Sequence, residues 1–132
     1  MLHKLEVVSH KRDEVIEITH LIQEIIKKEN FKTGLVCIYI PHTTAGVFIN
    51  ENADPSVKKD ILYSLDRLIP FIDRNYSHIE GNSASHVKAS LVGTSQIVIV
   101  EKGNLLLGTW QGIYFAEFDG PRKREIWVKI MV

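Results

Sequence analysis

Gln96-Ile97-Val98-Ile99-Val100-Glu101-Lys102-Gly103-Asn104-Leu105-Leu106-Leu107-Gly108-Thr109-Trp110-Gln111-Gly112-Ile113-Tyr114-Phe115-Ala116-Glu117-Phe118 is the stretch that decides the fold. Gln96 to Glu101 and Leu105 to Leu107 read as strands, and Lys102-Gly103-Asn104 between them is a hairpin turn signal. Ile113 to Phe118 is a third strand. Glu125 to Met131 is a fourth, separated from it by Asp119-Gly120-Pro121. Four strands on such short connections pair antiparallel. Gly108-Thr109-Trp110-Gln111-Gly112 interrupts the sheet. Glycine serves where backbone turns sharply or approaches something closely, Trp offers a flat apolar surface, and Gln offers a donor and an acceptor. The segment is either a site element or a tight strand connection with Trp110 in the core.

Upstream of this block, Leu2 to Val8 and Glu14 to Ile18 read as two strands around the polar turn Ser9 to Asp13. Thr19 is placed to cap a helix to about Glu29, with Leu21, Ile22, Ile25 and Ile26 on one face. Leu35 to Ile40 is apolar throughout, which predicts a strand buried on both faces, and Pro41 ends it. Val47 to Asn50 is another strand. Asp54-Pro55 starts a helix, Asp at the cap and Pro at the first helical position. Val57, Ile61, Leu65, Leu68 and Ile69 form its apolar stripe, and Pro70 stops it. Residues 71 to 82 are a polar loop, and Ser83 to about Leu91 a short helix. The order ββ-α-ββ-α-α-ββββ predicts one α+β domain over residues 1–132, mainly antiparallel, with helices packed on the sheet.

Bulk properties exclude several classes. Lys plus Arg equals Asp plus Glu at 16 each, so the chain lacks the basic footprint of a nucleic-acid binder. No apolar run approaches the roughly 18 residues of a membrane span. The N-terminus carries charge too early for a signal peptide. The single cysteine, Cys37, cannot form an internal disulfide and sits in an apolar run as inert core. These features predict a cytoplasmic protein.

Three of the six histidines stand where scaffolds expose functional groups. His42 follows Pro41 at a strand end, His78 lies in the polar loop with Glu80, and His86 is in the first turn of the short helix. They form a shared site or are three separate polar histidines. His86, Ala89, Ser90 and Gly93 share a small helical face, suited to a ligand or to close packing. Lys88, beside them, is expected to point to solvent. Glu117 shares a strand face with Ile113 and Phe115. It must be paired, bind a cation or have its pKa raised, unless the strand ends early and leaves it exposed. Arg122, Lys123 and Arg124 are a solvated hairpin edge or a phosphate-holding cluster.

The blocks His42-Thr43-Thr44-Ala45-Gly46, Ile49-Asn50-Glu51-Asn52-Ala53-Asp54-Pro55, His78-Ile79-Glu80-Gly81-Asn82-Ser83, His86-Val87-Lys88-Ala89-Ser90-Leu91 and Gly108-Thr109-Trp110-Gln111-Gly112-Ile113 together resemble the YjbQ family, UPF0047. The resemblance spans nearly the whole chain. It implies an α+β fold, a homotrimer, a site built from histidines, and secondary thiamine-phosphate synthase activity. That reaction joins an aminomethylpyrimidine diphosphate to a thiazole phosphate with loss of pyrophosphate.

Two functional readings follow. In the first the chain is an enzyme. His42, His78 and His86 converge, with or without a divalent metal (zinc or magnesium) held by them. Asn52 positions a substrate polar group, Glu117 is the partner carboxylate, and Arg124 holds a phosphate. Thr43, Trp110 and Gln111 complete the ligand-binding set, the last two as a wall of the pocket. In the second, the same residues make a non-catalytic trimeric binding module for a small anionic metabolite. Neither reading involves a membrane or a nucleic acid.

Overall fold

The computed structural model describes residues Met1–Val132. Its elements are β1 (Leu2–Val8), β2 (Glu14–Glu17), α1 (Thr19–Lys28), β3 (Gly34–Tyr39), β4 (Ala45–Glu51), α2 (Pro55–Leu68), α3 (Ser83–Val92), β5 (Ser95–Glu101), β6 (Asn104–Leu105), β7 (Gln111–Glu117) and β8 (Lys123–Met131). This is the ββ-α-ββ-α-α-ββββ order that the turn and cap residues predict. The strands form two antiparallel sheets, a five-stranded one in the order β1-β8-β3-β5-β6 and a three-stranded one in the order β2-β7-β4.

The main core lies between the two sheets. Val36, Ile38, Val98, Val100, Ile126 and Val128 come from the large sheet, and Val47, Ile113 and Phe115 from the small one. Ile22, Ile25 and Ile26 of α1 join this cluster. On the other face of the small sheet, Ala116 and Phe118 pack with Ala89 of α3 and with Leu62 and Leu65 of α2. The order of layers is therefore large sheet, small sheet, then α2 and α3, with α1 packed into the core between the sheets.

β7 is the strand buried on both faces, from Gly112 to Glu117. Sequence had assigned that place to β3, but there only Val36 and Ile38 are buried. Leu35 and Tyr39 are 39% and 44% exposed, and Cys37 is half-buried rather than core. A continuous apolar run marks two covered faces, and the second cover of β3 is missing within one chain. The β5–β6 turn is as read: Lys102 and Gly103 both have positive φ, 52° and 79°, as a type I′ hairpin requires.

Both cap assignments meet the structure differently. Asp54 caps α2, its Oδ1 accepting the Ser56 N–H at 2.9 Å. Ile18, not Thr19, stands at the α1 cap, with no side-chain cap bond. The Thr19 hydroxyl instead donates to Glu17 and accepts the Ile113 N–H, tying α1 to β7. The α2 stripe is also rotated from its expected position. Leu62 and Leu65 face the sheet, while Leu68 is 74% exposed and no residue of α2 is buried.

Candidate functional site

A cleft of about 970 Å³ opens between the β3–β4 turn, α3, the loop before α3, and the start of β8. His42, His78 and His86 all line it, with Thr43 and Arg124. Each arrives by a different local rule. Pro41 ends β3 and turns the chain so that His42 and Thr43 stand at the sheet's end. The loop after α2 brings His78. The first turn of α3 presents His86, and Asn82, Ala89 and Ser90 lie along the same helical face. The two ends of that small face differ. Its first two turns border the cleft, while at its end Gly93 gives its carbonyl to the Val47 N–H at 3.0 Å.

The three imidazoles are not equivalent. His78 and His86 meet edge to face, ring centroids 5.1 Å apart at 88°. His42 is held by the backbone: its Nε2 accepts the Glu125 N–H at 3.0 Å. That bond needs a lone pair on Nε2, so the ring is neutral and carries its proton on Nδ1. Burial pushes the His42 pKa below 6.5, and the Arg124 charge adds to this. The carboxylates of Glu117 and Glu125 pull the other way without reversing it.

Beneath His42 lies a buried ion pair. Arg124 and Glu117 are 4% and 0% exposed; the reading of residues 122–124 as a solvated edge therefore holds for the exposed Arg122 and Lys123 but not for Arg124, and Glu117 is not an exposed strand end. Arg124 Nε donates to Glu117 Oε1 at 2.9 Å, and Nη2 reaches Glu117 Oε2 and the Thr44 hydroxyl, the latter at 2.7 Å. The Ser9 hydroxyl and the Asp119 N–H also donate to the carboxylate, at 2.8 and 3.0 Å. Burial alone would raise the Glu117 pKa, but the donors, Arg124 first, outweigh it and hold it below 4.5. Arg124 is thus locked in one pose, and Nη1 has no protein partner.

Asn82, which no pattern in the sequence singles out, lines the cleft as well. Its Nδ2 donates to Asp119 Oδ2 at 2.8 Å, and Arg122 donates to the same oxygen at 3.0 Å. Its Oδ1 is the one buried side-chain polar atom without a partner. Asn82 stands at the N-cap position of α3, yet its side chain makes no cap bond. Tyr39 and Trp127, also on the cleft, pair with ring centroids 6.0 Å apart. Partners on adjacent strands β3 and β8 are set by register, which no local pattern announces.

Asn52, Trp110 and Gln111 are not in the cleft. β4 and β7 pair from Ala45↔Glu117 at the cleft end to Glu51↔Gln111 at the other, about 20 Å away at the usual strand rise. There Asn52 donates to Glu17 at 3.1 Å, its backbone N–H donates to the Trp110 carbonyl, and Gln111 Oε1 accepts the Gly108 N–H at 2.8 Å. The Gly108–Gly112 segment is a structural corner. Trp110 is 63% exposed, so it is neither wall of this cleft nor core.

The donor set does not fit a metal within one chain. No three His, Cys, Asp or Glu side chains gather around one point, and His42 Nε2 is already taken. No helix is long and apolar enough to cross a membrane.

The family model described as UPF0047 protein YjbQ-like matches residues 3–132. The UPF0047 protein MJ1081 of Methanocaldococcus jannaschii is 56% identical over 131 residues, covering 99% of this chain and 94% of that one. The UPF0047 protein YugU of Bacillus subtilis is 53% identical, covering 99% of each. A crystal structure of a YjbQ/UPF0047 family protein from Clostridium acetobutylicum superposes with a TM-score of 0.95 at 49% identity, covering 98% of this chain and 99% of that one. The chain belongs to the YjbQ-like UPF0047 family.

Proposed function

We propose that the cleft binds a small phosphorylated metabolite and that its histidines move protons on it. One observation carries this reading: three imidazoles and an arginine with one free edge line the same cleft. Arg124 Nη1 offers charge-assisted donors to an anionic oxygen. Its pose is fixed by Glu117 and Thr44, so little reorganisation accompanies binding. His42, neutral and with its proton on Nδ1, is a hydrogen-bond donor at neutral pH. His78 and His86, in contact, are suited to pass a proton between them.

The family resemblance supplies one reaction to test. Loss of pyrophosphate from a pyrimidine diphosphate develops negative charge on the departing oxygens, and Arg124 Nη1 would stabilise it. This chemistry is assigned to side chains, since the histidines of one chain do not fit a metal. The second reading, binding without turnover, uses the same residues. We also propose a homotrimer: the family resemblance implies three copies, and Leu35, Tyr39, Ile97 and Ile99 expose one apolar face of the large sheet that self-association would cover.

The test is calorimetric titration with inorganic pyrophosphate, followed by an assay with the pyrimidine diphosphate and thiazole phosphate. Native protein should bind pyrophosphate. His78→Ala and His86→Ala should retain that binding and lose product formation by about a hundredfold, the loss ordinary for an acid–base group. Binding without product in the native protein favours the binding module. No heat with pyrophosphate ends the anion reading.

A further inference from the structure

The two touching histidines arrive on separate elements. His86 is fixed on α3. His78 sits in the loop that follows α2, and α2 has no buried residue of its own. Leu62 and Leu65 give that helix a small apolar footing. A second attachment comes from an unexpected residue.

Lys88 does not point to solvent; it is 1% exposed. Lysine is buried almost only when paired, and Lys88 is paired twice. Its Nζ reaches Asp13 Oδ2 at 2.6 Å and Asp66 Oδ1 at 3.0 Å, lying 5.9 Å from the centre of the Phe118 ring. Asp66 belongs to α2 and Asp13 to the β1–β2 turn. Arg12 closes the group from outside. It bonds Asp13 at 2.9 Å and Asp66 at 3.4 Å, and its guanidinium lies 4.3 Å from the ring centre of Phe71, in the His78 loop. An exposed ion pair contributes little. Here the ammonium is inside the fold, so losing it leaves the two carboxylates with only the half-exposed Arg12 guanidinium between them.

We propose that Lys88 is a positioning residue of the histidine cleft: by holding Asp66 and Asp13 against α3, it fixes α2 and the loop behind it, and so sets His78 against His86. Lys88 does not line the cleft. The functional consequence rests on the cleft reading above; the latch itself does not.

Hydrogen exchange and imidazole NMR test it without any ligand. Lys88→Met should speed exchange at the helix-bonded amides of α2 (residues 59–69) and at the Tyr76 and Gly81 amides by about tenfold or more, as a local opening would, while β3 and β8 amides keep native protection. The His78 and His86 ring signals should lose their mutual shift. Lys88→Arg should restore both in part. Asp66→Ala, at a half-exposed position, keeps the test open if Lys88→Met does not fold, and should loosen the same segment less. Native exchange over α2 and at Tyr76 and Gly81 in Asp66→Ala and in folded Lys88→Met overturns the latch, as does loosening spread evenly over the molecule. A parallel pyrophosphate titration separates the two proposals. Native protein that binds no pyrophosphate while Lys88→Met loosens the loop ends the cleft reading and supports the latch. Native binding with unchanged exchange ends the latch alone.

Discussion

At the residue scale the Glu117–Arg124 pair sets both stability and site. Removing one member of a buried pair strands the other, so Glu117→Gln should destabilise the fold by about 3–5 kcal/mol, read as a shift in the urea midpoint. The pH dependence has a definite sign. The folded Glu117 pKa lies below its ordinary 4.5, so its contribution is present above 4.5 and is lost as pH falls through the lower folded value. Glu117→Gln should flatten that acid limb of stability against pH. An unchanged limb would remove Glu117 as its source. His42 adds a second contribution of the same sign. Its folded pKa is below 6.5, so its contribution is present above 6.5 and lost on acidification through the folded value. The sequence offers a partner for Glu117 as one reading, because it shares a strand face with Ile113 and Phe115, beside the reading of an exposed strand end. It could not choose Arg124, since that choice depends on two sheets facing each other. Lys88 was misread for the same reason: helical spacing puts it on a face, and only the fold says what covers the face.

At the element scale, β4 and α3 meet so closely that one position admits no side chain. A Cβ on Gly46 would stand 2.5 Å from the Gly93 carbonyl oxygen and 3.1 Å from Val92 Cγ1. The obstacle is backbone, which cannot rotate away. Gly46→Ala should therefore push the end of α3 off the small sheet and break the Val47 N–H to Gly93 bond. The cost should be about 1–3 kcal/mol, as for overpacked cores. Thermal denaturation measures the loss, and hydrogen exchange at Val47 locates it. A variant as stable as the native chain would show that α3 slides freely. Turn and cap chemistry made the elements legible here: Asp54-Pro55, Pro41 and Lys102-Gly103 each mark a boundary that the structure has. Packing was less legible. The α2 stripe was read from spacing, but spacing does not tell a face against protein from a face against solvent, and Leu68 took the second.

At the scale of the whole molecule, the uncovered face of the large sheet is the largest departure from a self-contained fold. The continuous apolar run of β3 called for two covers, and one chain supplies one. Ile97 and Ile99 of β5, 60% and 50% exposed, extend the same face. Zero formal net charge adds no general repulsion against self-association. If copies of the chain supply the missing cover, light scattering should return three times the 15.1 kDa chain mass. Ile97→Lys with Ile99→Lys, placing two charges where a partner sheet would sit, should return a folded species of one chain mass. The charges face outward in the single chain, so the core between the sheets keeps its packing. A native protein that scatters as one chain would refute self-association. A variant that stays trimeric would move the interface off β5, to surfaces such as the open side of α2. Assembly also bears on the cleft, because Tyr39 belongs both to its rim and to the apolar face. Should trimer formation cover Tyr39, the double-lysine variant would bind pyrophosphate with altered affinity while Arg124 stays in place.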